Sequence, residues 1–379
     1  MAHSSSHTRT RCALFLAALL LLPARTSCGL SYPLPPATNP APTIGVLSVP
    51  ITDAGSPCDT AAPGSTNTSS CFTSFYFRWL QAAGARAVVL PVDADAATLD
   101  VLLDSVNGVL FSGGSLENLS FSSAYMTAAA HIYSRVLQKN DNGTFFPLHG
   151  TCQGFQVLAL LTSQDQGVMQ YGAFDAEGLV IPLDISVRGR GGGLACPSAL
   201  CCLPYHSLSH TRLACSLAQW DGHHSSRLFS AVTAPDSVVD TLGSENSTIN
   251  LHHDGVPVAA FEASHALSSF YILASTNFDR AGKAFVSTME AWGYPVTATQ
   301  WHPERNALEW RDDIALSAHS PSAVAAAQYL AAFFVGDARR NTQAFSNTTL
   351  LSKYSVYSYP LVGAADAALS GYQWLVYTD

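Results

Sequence analysis

Residues 145–161 read FFPLHGTCQGFQVLALL, and the fold turns on this stretch. An apolar run, a glycine-flanked cysteine and a second apolar run follow one another without a break. The first run has the length of a strand and the second that of a helix. Cys152 therefore sits where a strand turns sharply into a helix, with Gly150 and Gly154 two residues to either side. In such a turn the tip residue is held out at the carboxyl edge of the strand. Its neighbours crowd the backbone, so they have to be small. The helix N-terminus adds partial positive charge, which favours thiolate over thiol. Open α/β sheets bind ligands at this same edge. Cys152 is thus a candidate nucleophile, with a small core residue as the plain alternative.

Strand and helix patterns alternate outward from this turn. TIGVLSVP (43–50) reads as a short apolar strand. Helical spacing follows at 75–83, a strand at 86–92, a helix at 95–105 and a strand at 108–111 ending in Gly-Gly-Ser. Residues 122–138 are Ala-rich and helical, and FFPLH is the next strand. This alternation predicts parallel βαβ units with right-handed crossovers. Residues 164–250 read as an irregular insertion, with GRGGG at 189–193 and cysteines crowded after it. Strands return at 270–276, 283–290 and 294–302, and 322–341 is an amphipathic helix. The Tyr- and Ser-rich end, 346–379, is expected to dock on the domain.

Two further elements bear on chemistry. TQWHPER places His302 and Glu304 two residues apart after a strand-like run. On an extended backbone the two would share a side. Glu304 would then orient the imidazole while His302 takes the thiol proton. A surface turn is the bland reading of the same residues. GVLFSGGS ends a strand in glycines whose N–H groups face outward. The N–H of Gly114 or its neighbour, with that of Gln153, would form an oxyanion hole, unless the glycines make only a tight turn.

The chain has 379 residues, 48% hydrophobic and 12% charged, with a formal net charge of -9. That is enough apolar residue for a large core. No basic run or stripe appears, which argues against a nucleic-acid partner. The N-terminus carries Arg9 and Arg11, then ALFLAALLLLP at 13–23, then ARTSCG, the pattern of a signal peptide over 1–27. The apolar block is short for a membrane span, which needs ~20 residues. Once it is cleaved, no membrane attachment is expected. Sequons occur at Asn67, Asn118, Asn142, Asn246 and Asn347, candidates for glycosylation in a secretory route. Of nine cysteines, Cys58 and Cys71 flank a Gly/Ser/Thr-rich loop and are the easiest disulfide to imagine. Cys196, Cys201, Cys202 and Cys215 fit no common zinc spacing and read as disulfides in preference to a metal site.

A strand–GTCQG–helix followed far downstream by WHPE resembles the class I glutamine amidotransferase superfamily. Within it, NGVLFSGGS, FFPLHGTCQGF, FVSTMEAWGYPVTATQWHPER and SAVAAAQYLAAFFVGDARRN are similar to the gamma-glutamyl hydrolase family. The resemblance implies a flavodoxin-like three-layer α/β sandwich over 40–345, built on a mostly parallel central sheet. It implies Cys152 as nucleophile, His302 as general base and Glu304 as its partner. It implies a functional histidine in an N-[FL]-H stretch, which INLHH matches at His252, two residues after Asn250. The implied substrates are folate and antifolate poly-γ-glutamates. No cofactor or metal is implied, and members form homodimers and are lysosomal, vacuolar or secreted. Arg78, Lys283 and Arg305 are candidates for binding substrate carboxylates only through their nearness to these motifs.

The chain departs from the family in three places. Gln153 replaces an apolar residue, His149 stands where an aromatic is common, and 186–218 matches nothing recognised, which leaves chain-length preference open. Three rival readings differ in consequence. A glutamine amidotransferase would feed ammonia to a cytosolic synthase, which the signal peptide opposes. A silent secreted glycoprotein that binds γ-glutamyl ligands would lack a reactive Cys152. A general cysteine peptidase would cut α-peptide bonds with the same three residues.

Overall fold

The computed structural model of the protein describes residues 34–51, 70–116, 119–185, 226–230, 232–363 and 373–377. The expected signal peptide, the 186–218 insertion, Asn67, Asn118 and Cys58 lie outside the described residues.

The first half builds β1 (Thr43–Leu47), β2 (Val49–Pro50), β3 (Ser70–Thr73), α1 (Ser74–Ala82), β4 (Arg86–Leu90), α2 (Ala96–Leu103), β5 (Gly108–Phe111), α3 (Ala124–Asp141), β6 (Leu148–Thr151) and α4 (Gln153–Ser163). Then come β7 (Leu179–Ile181), α5 (Asp236–Ser244), β8 (Thr248–Asn250), α6 (Val258–Ala263) and α7 (His265–Phe270). The last part holds β9 (Tyr271–Phe278), β10 (Ala284–Ala291), β11 (Val296–Thr299), α8 (Pro321–Ala338), α9 (Thr348–Tyr354), β12 (Leu361–Gly363) and β13 (Gln373–Tyr377).

The central sheet has seven strands in the order β4-β1-β5-β6-β11-β10-β9. The first five run parallel, and β10 is antiparallel to both its neighbours. A strand covered on both faces reads as an unbroken apolar run. β1 and β5, TIGVL and GVLF, are buried at every position. On one side α1 packs on α8 and α8 on α5; α2, α3, α4 and α7 pack on one another in turn. The sheet between helical layers is the α/β flavodoxin-like arrangement.

Local chemistry starts the helices. Ser123 accepts the Met126 N–H at the start of α3, and Ser320 accepts the Ala323 N–H ahead of Pro321 at the start of α8. Outside the main sheet, β13 pairs antiparallel with β3, bringing the end of the chain against the strand that enters α1. Leu375 and Tyr377 are buried there.

The structure departs from the sequence reading at three points. The 164–250 stretch is not wholly irregular, because it contains β7, α5 and β8. α5 buries Val238, Val239 and Leu242, and the two strands pair with each other away from the main sheet. β6 begins at Leu148 and not at Phe145. Pro147 has no N–H for a ladder, though its carbonyl still accepts the Val109 N–H at 3.0 Å. β11 ends at Thr299, which frees Gln300, Trp301 and His302 to bend away from the sheet.

Candidate active site

Cys152 stands between β6 and α4 with φ 51° and ψ -107°. A non-glycine residue at positive φ is strained and persists only where its surroundings hold it. Here its N–H donates to the Thr299 carbonyl at 2.7 Å, and its carbonyl accepts the Gln156 N–H at 3.1 Å. The flanking glycines are required by contact. A Cβ on Gly150 would lie 2.6 Å from the Gly154 carbonyl oxygen. One on Gly154 would run into the Phe111 backbone carbonyl of β5. Strand and helix backbones pass this closely only because both positions lack a side chain. Cys152 is 4% exposed and carries a free thiol.

His302 follows β11 and anchors its N–H on the Ile249 carbonyl of β8 at 2.9 Å. Its ring lies beside Cys152 on one side, near enough for the sulfur to raise its pKa. On the other, Nδ1–H donates to Glu304 Oε1 at 2.7 Å. A Cβ on Gly113 would lie 3.0 Å from His302 Cε1 and 3.2 Å from Cys152 Cβ, so that glycine leaves room for both. The His–Glu contact does not rest on an extended backbone as the sequence suggested. Residues 303–308 form turns, with the Glu309 N–H donating to the Arg305 carbonyl at 2.7 Å, and Glu304 reaches His302 across that bend.

The pair is fully buried, and burial pushes against both charges. Burial pulls the His302 pKa down, but Glu304 and Cys152 outweigh it and Arg305 opposes them only partly, so it rises to about 9. Burial pushes Glu304 up, but His302 and Arg305 bring it below its ordinary value. An imidazolium held between carboxylate and sulfur is therefore the form present at neutral pH.

His252 stands two residues beyond β8, against Phe285 at 4.8 Å between ring centroids. Its Nδ1–H donates to the Asp254 carbonyl at 2.9 Å, so Nε2 carries the lone pair. Nε2 is buried without a hydrogen-bond partner. Burial, with His302 and His253 nearby, lowers its pKa to about 3 against the pull of the Asp254 carbonyl and Asp279. His252 is a neutral acceptor beside the thiol centre. Gly114 and Gln153 also meet, since a Cβ on Gly114 would strike the Gln153 amide oxygen.

Three residues that the motifs did not single out complete the site. The Tyr76 hydroxyl accepts the Gly113 N–H at 2.7 Å. Gln300 Nε2 lies 3.7 Å from Cys152 Sγ, and Gln156 Nε2 lies 3.4 Å from Gln300 Oε1. Gln156 comes one helical turn after Cys152 and Gln300 two residues before His302, spacings from which both could have been picked.

The guessed carboxylate binders fare differently. Arg305 is 8% exposed and pairs with Glu309 at 2.6 Å, so it belongs to the buried support of the His–Glu pair. Arg78 bonds Gln373 of β13. Lys283 donates to the Ala173 carbonyl and lies 4.5 Å over the Phe174 ring, on the wall that holds His252. Among the described residues, no group of three or more His, Cys, Asp or Glu could hold a metal ion. Nor is any described helix long and apolar enough to cross a membrane. Asn142, Asn246 and Asn347 are exposed.

The Peptidase C26 family model matches residues 50–164, which run from β3 through α4 and contain Cys152. The mouse gamma-glutamyl hydrolase is 33% identical over 285 residues, covering 75% of this chain and 76% of its own. The human gamma-glutamyl hydrolase matches at the same identity and coverage. Gamma-glutamyl hydrolase 1 of Arabidopsis thaliana is 30% identical over 326 residues, covering 86% of this chain and 79% of its own. With that identity spread over most of both lengths, the chain belongs to the gamma-glutamyl hydrolase family.

Proposed function

We propose that the protein is a thiol hydrolase that cleaves the γ-glutamyl bonds of folate and antifolate poly-γ-glutamates. Family membership supports γ-glutamyl hydrolysis. One observation carries the mechanism: Cys152, on its strained turn, stands beside a His302 ring whose Nδ1 lies 2.7 Å from Glu304.

In this reading the Cys152 thiolate attacks the γ-carbonyl carbon and forms a C–S bond. The oxygen takes the negative charge, met by the Gly114 and Gln153 backbone N–H groups. As the C–N bond breaks, the His302 imidazolium gives its proton to the leaving glutamate amine. Water then attacks the thioester, now-neutral His302 accepts its proton, and the thiolate leaves with the C–S electrons. Glu304 holds the ring and stabilises its charge in both halves. His252 offers Nε2 as an acceptor to the bound substrate. No cofactor enters any step. The signal-like start supports a secretory route ending in a lysosome, vacuole or the exterior. Exposed Asn142, Asn246 and Asn347 are its glycosylation sites, and the disulfide-bonded Cys71 suits an oxidising route. The 186–218 segment acts as an insertion in a 40–345 domain.

The test is mass spectrometry of pteroylpentaglutamate after incubation with the mature protein and with Cys152→Ala. Shortened pteroylglutamates from the parent alone support the reading, and their lengths locate the cut. An intact substrate with both, from acid to neutral pH, removes it in favour of an amidotransferase or a silent binder.

A further inference from the structure

Two buried carboxamides beside the nucleophile have no part in the reaction as written. Gln300 is fully buried and Gln156 is 4% exposed. A buried amide without partners is costly, so their contacts are informative. Gln156 Nε2 donates to the Asp254 carbonyl at 3.0 Å and to Gln300 Oε1 at 3.4 Å. The Asp254 carbonyl is an acceptor only, so Gln156 has to turn its NH2 group towards it. Gln300 then has to offer its oxygen to Gln156, and its own NH2 points at Cys152 Sγ, 3.7 Å away. The same Asp254 carbonyl receives the Nδ1–H of His252. One backbone oxygen thereby sets the direction of a chain that runs from His252 through Asp254, Gln156 and Gln300 to the sulfur.

We propose that Gln300 is a positioning residue for the nucleophile, oriented by Gln156, whose amide N–H holds the Cys152 sulfur as a thiolate facing the substrate carbonyl. This rests on the reading of Cys152 as nucleophile. A neutral donor suits the place. It stabilises negative charge on sulfur without competing for the proton on His302. It serves again when water opens the thioester and the thiolate has to leave. The Gln300 backbone is fixed for this task, its N–H donating to the Ser287 carbonyl at 2.8 Å.

Iodoacetamide alkylation of Cys152, followed by peptide mass mapping from pH 6 to pH 9, tests the proposal without any substrate. Its result is therefore independent of whether the γ-glutamyl reading holds. In Gln300→Leu, alkylation at pH 6 relative to pH 9 is expected to fall about tenfold against the parent, since only the thiolate reacts. Gln156→Leu should fall in the same direction by less, and the double variant should match Gln300→Leu, because Gln156 acts through Gln300. Gln300→Met keeps the length and the neutrality and loses the donor, so it should behave as Gln300→Leu does, whereas a packing role predicts parent behaviour. Gln156→Leu leaves Gln300 in place and serves as the working variant if the Gln300 changes do not fold. An unchanged pH ratio in a folded variant, or losses that add in the double variant, overturns the proposal.

Discussion

Cys152 holds a backbone conformation that glycine adopts with far less strain, and the chain keeps cysteine there. The strain of such a position is on the order of 1–3 kcal/mol. Cys152→Gly and Cys152→Ala should both lack activity, yet the glycine variant should be more stable than the alanine variant by about 1 kcal/mol in urea unfolding. Equal midpoints would mean that the turn is not strained. At His302 the sign follows from its partners. The pKa of about 9 means the proton donor is present at neutral pH and lost as pH rises through 9. kcat/KM should fall on that alkaline limb, and Glu304→Gln should move the limb to lower pH, because Glu304 is the largest cause holding the proton on. A limb that stays in place in Glu304→Gln would refute this assignment. Cys152, His302 and Glu304 were legible in the chain because short motifs hold each pair of neighbours in place. Arg305 was not: one residue after Glu304, it could face a cleft or a carboxylate, and only packing against Glu309 shows which.

At the level of elements, the β6–α4 turn is a backbone crossing. Gly154 lies against the Phe111 carbonyl of β5, and Gly150 against Gly154 itself. Gly154→Ala should therefore push α4 off β5, costing on the order of 1–3 kcal/mol by overcrowding alone and misplacing Cys152. Thermal unfolding with parallel activity measurement checks it, and a fully active, equally stable Gly154→Ala would refute the close crossing. This is the part of the fold the sequence shows best, since small residues at two fixed offsets around a cysteine have few other uses. β1, β5 and α8 were equally visible through continuous or helical apolar runs. β7 and β8 were not, because three residues show no period and among the described residues each has only the other as its strand partner. Yet β8 carries the carbonyl that anchors His302, so a piece invisible in the pattern supports the site.

At the scale of the whole molecule, Glu290 is a fully buried carboxyl whose charge is disfavoured. It lies on β10, where the Ser226 hydroxyl donates to it at 2.6 Å and the Leu228 N–H at 3.2 Å. Burial and the nearby Asp337 outweigh these donors and Arg227, so its pKa rises to about 7. A carboxyl raised in the folded state gives stability that is full below its ordinary range, near 4.5, and lost as pH rises through 7. The stability advantage of the parent over Glu290→Gln should therefore shrink from pH 5 to pH 8, by an amount on the order of 1–3 kcal/mol. Urea unfolding at the two pH values measures it, and a constant difference would exclude Glu290 as the source.

Read alone, the chain carries its class and the three residues proposed as nucleophile, base and carboxylate, because each follows from local spacing and from strands and helices in alternation. It does not carry the partners those groups acquire from far away. Thr299 holding the Cys152 N–H, Tyr76 holding Gly113, Ile249 holding His302 and Asp254 orienting two carboxamides are contacts between residues from about 37 to about 150 positions apart or set by loops without period. Such contacts are fixed by how the layers close over the carboxyl edge of the sheet, and distance along a chain has no bearing on them.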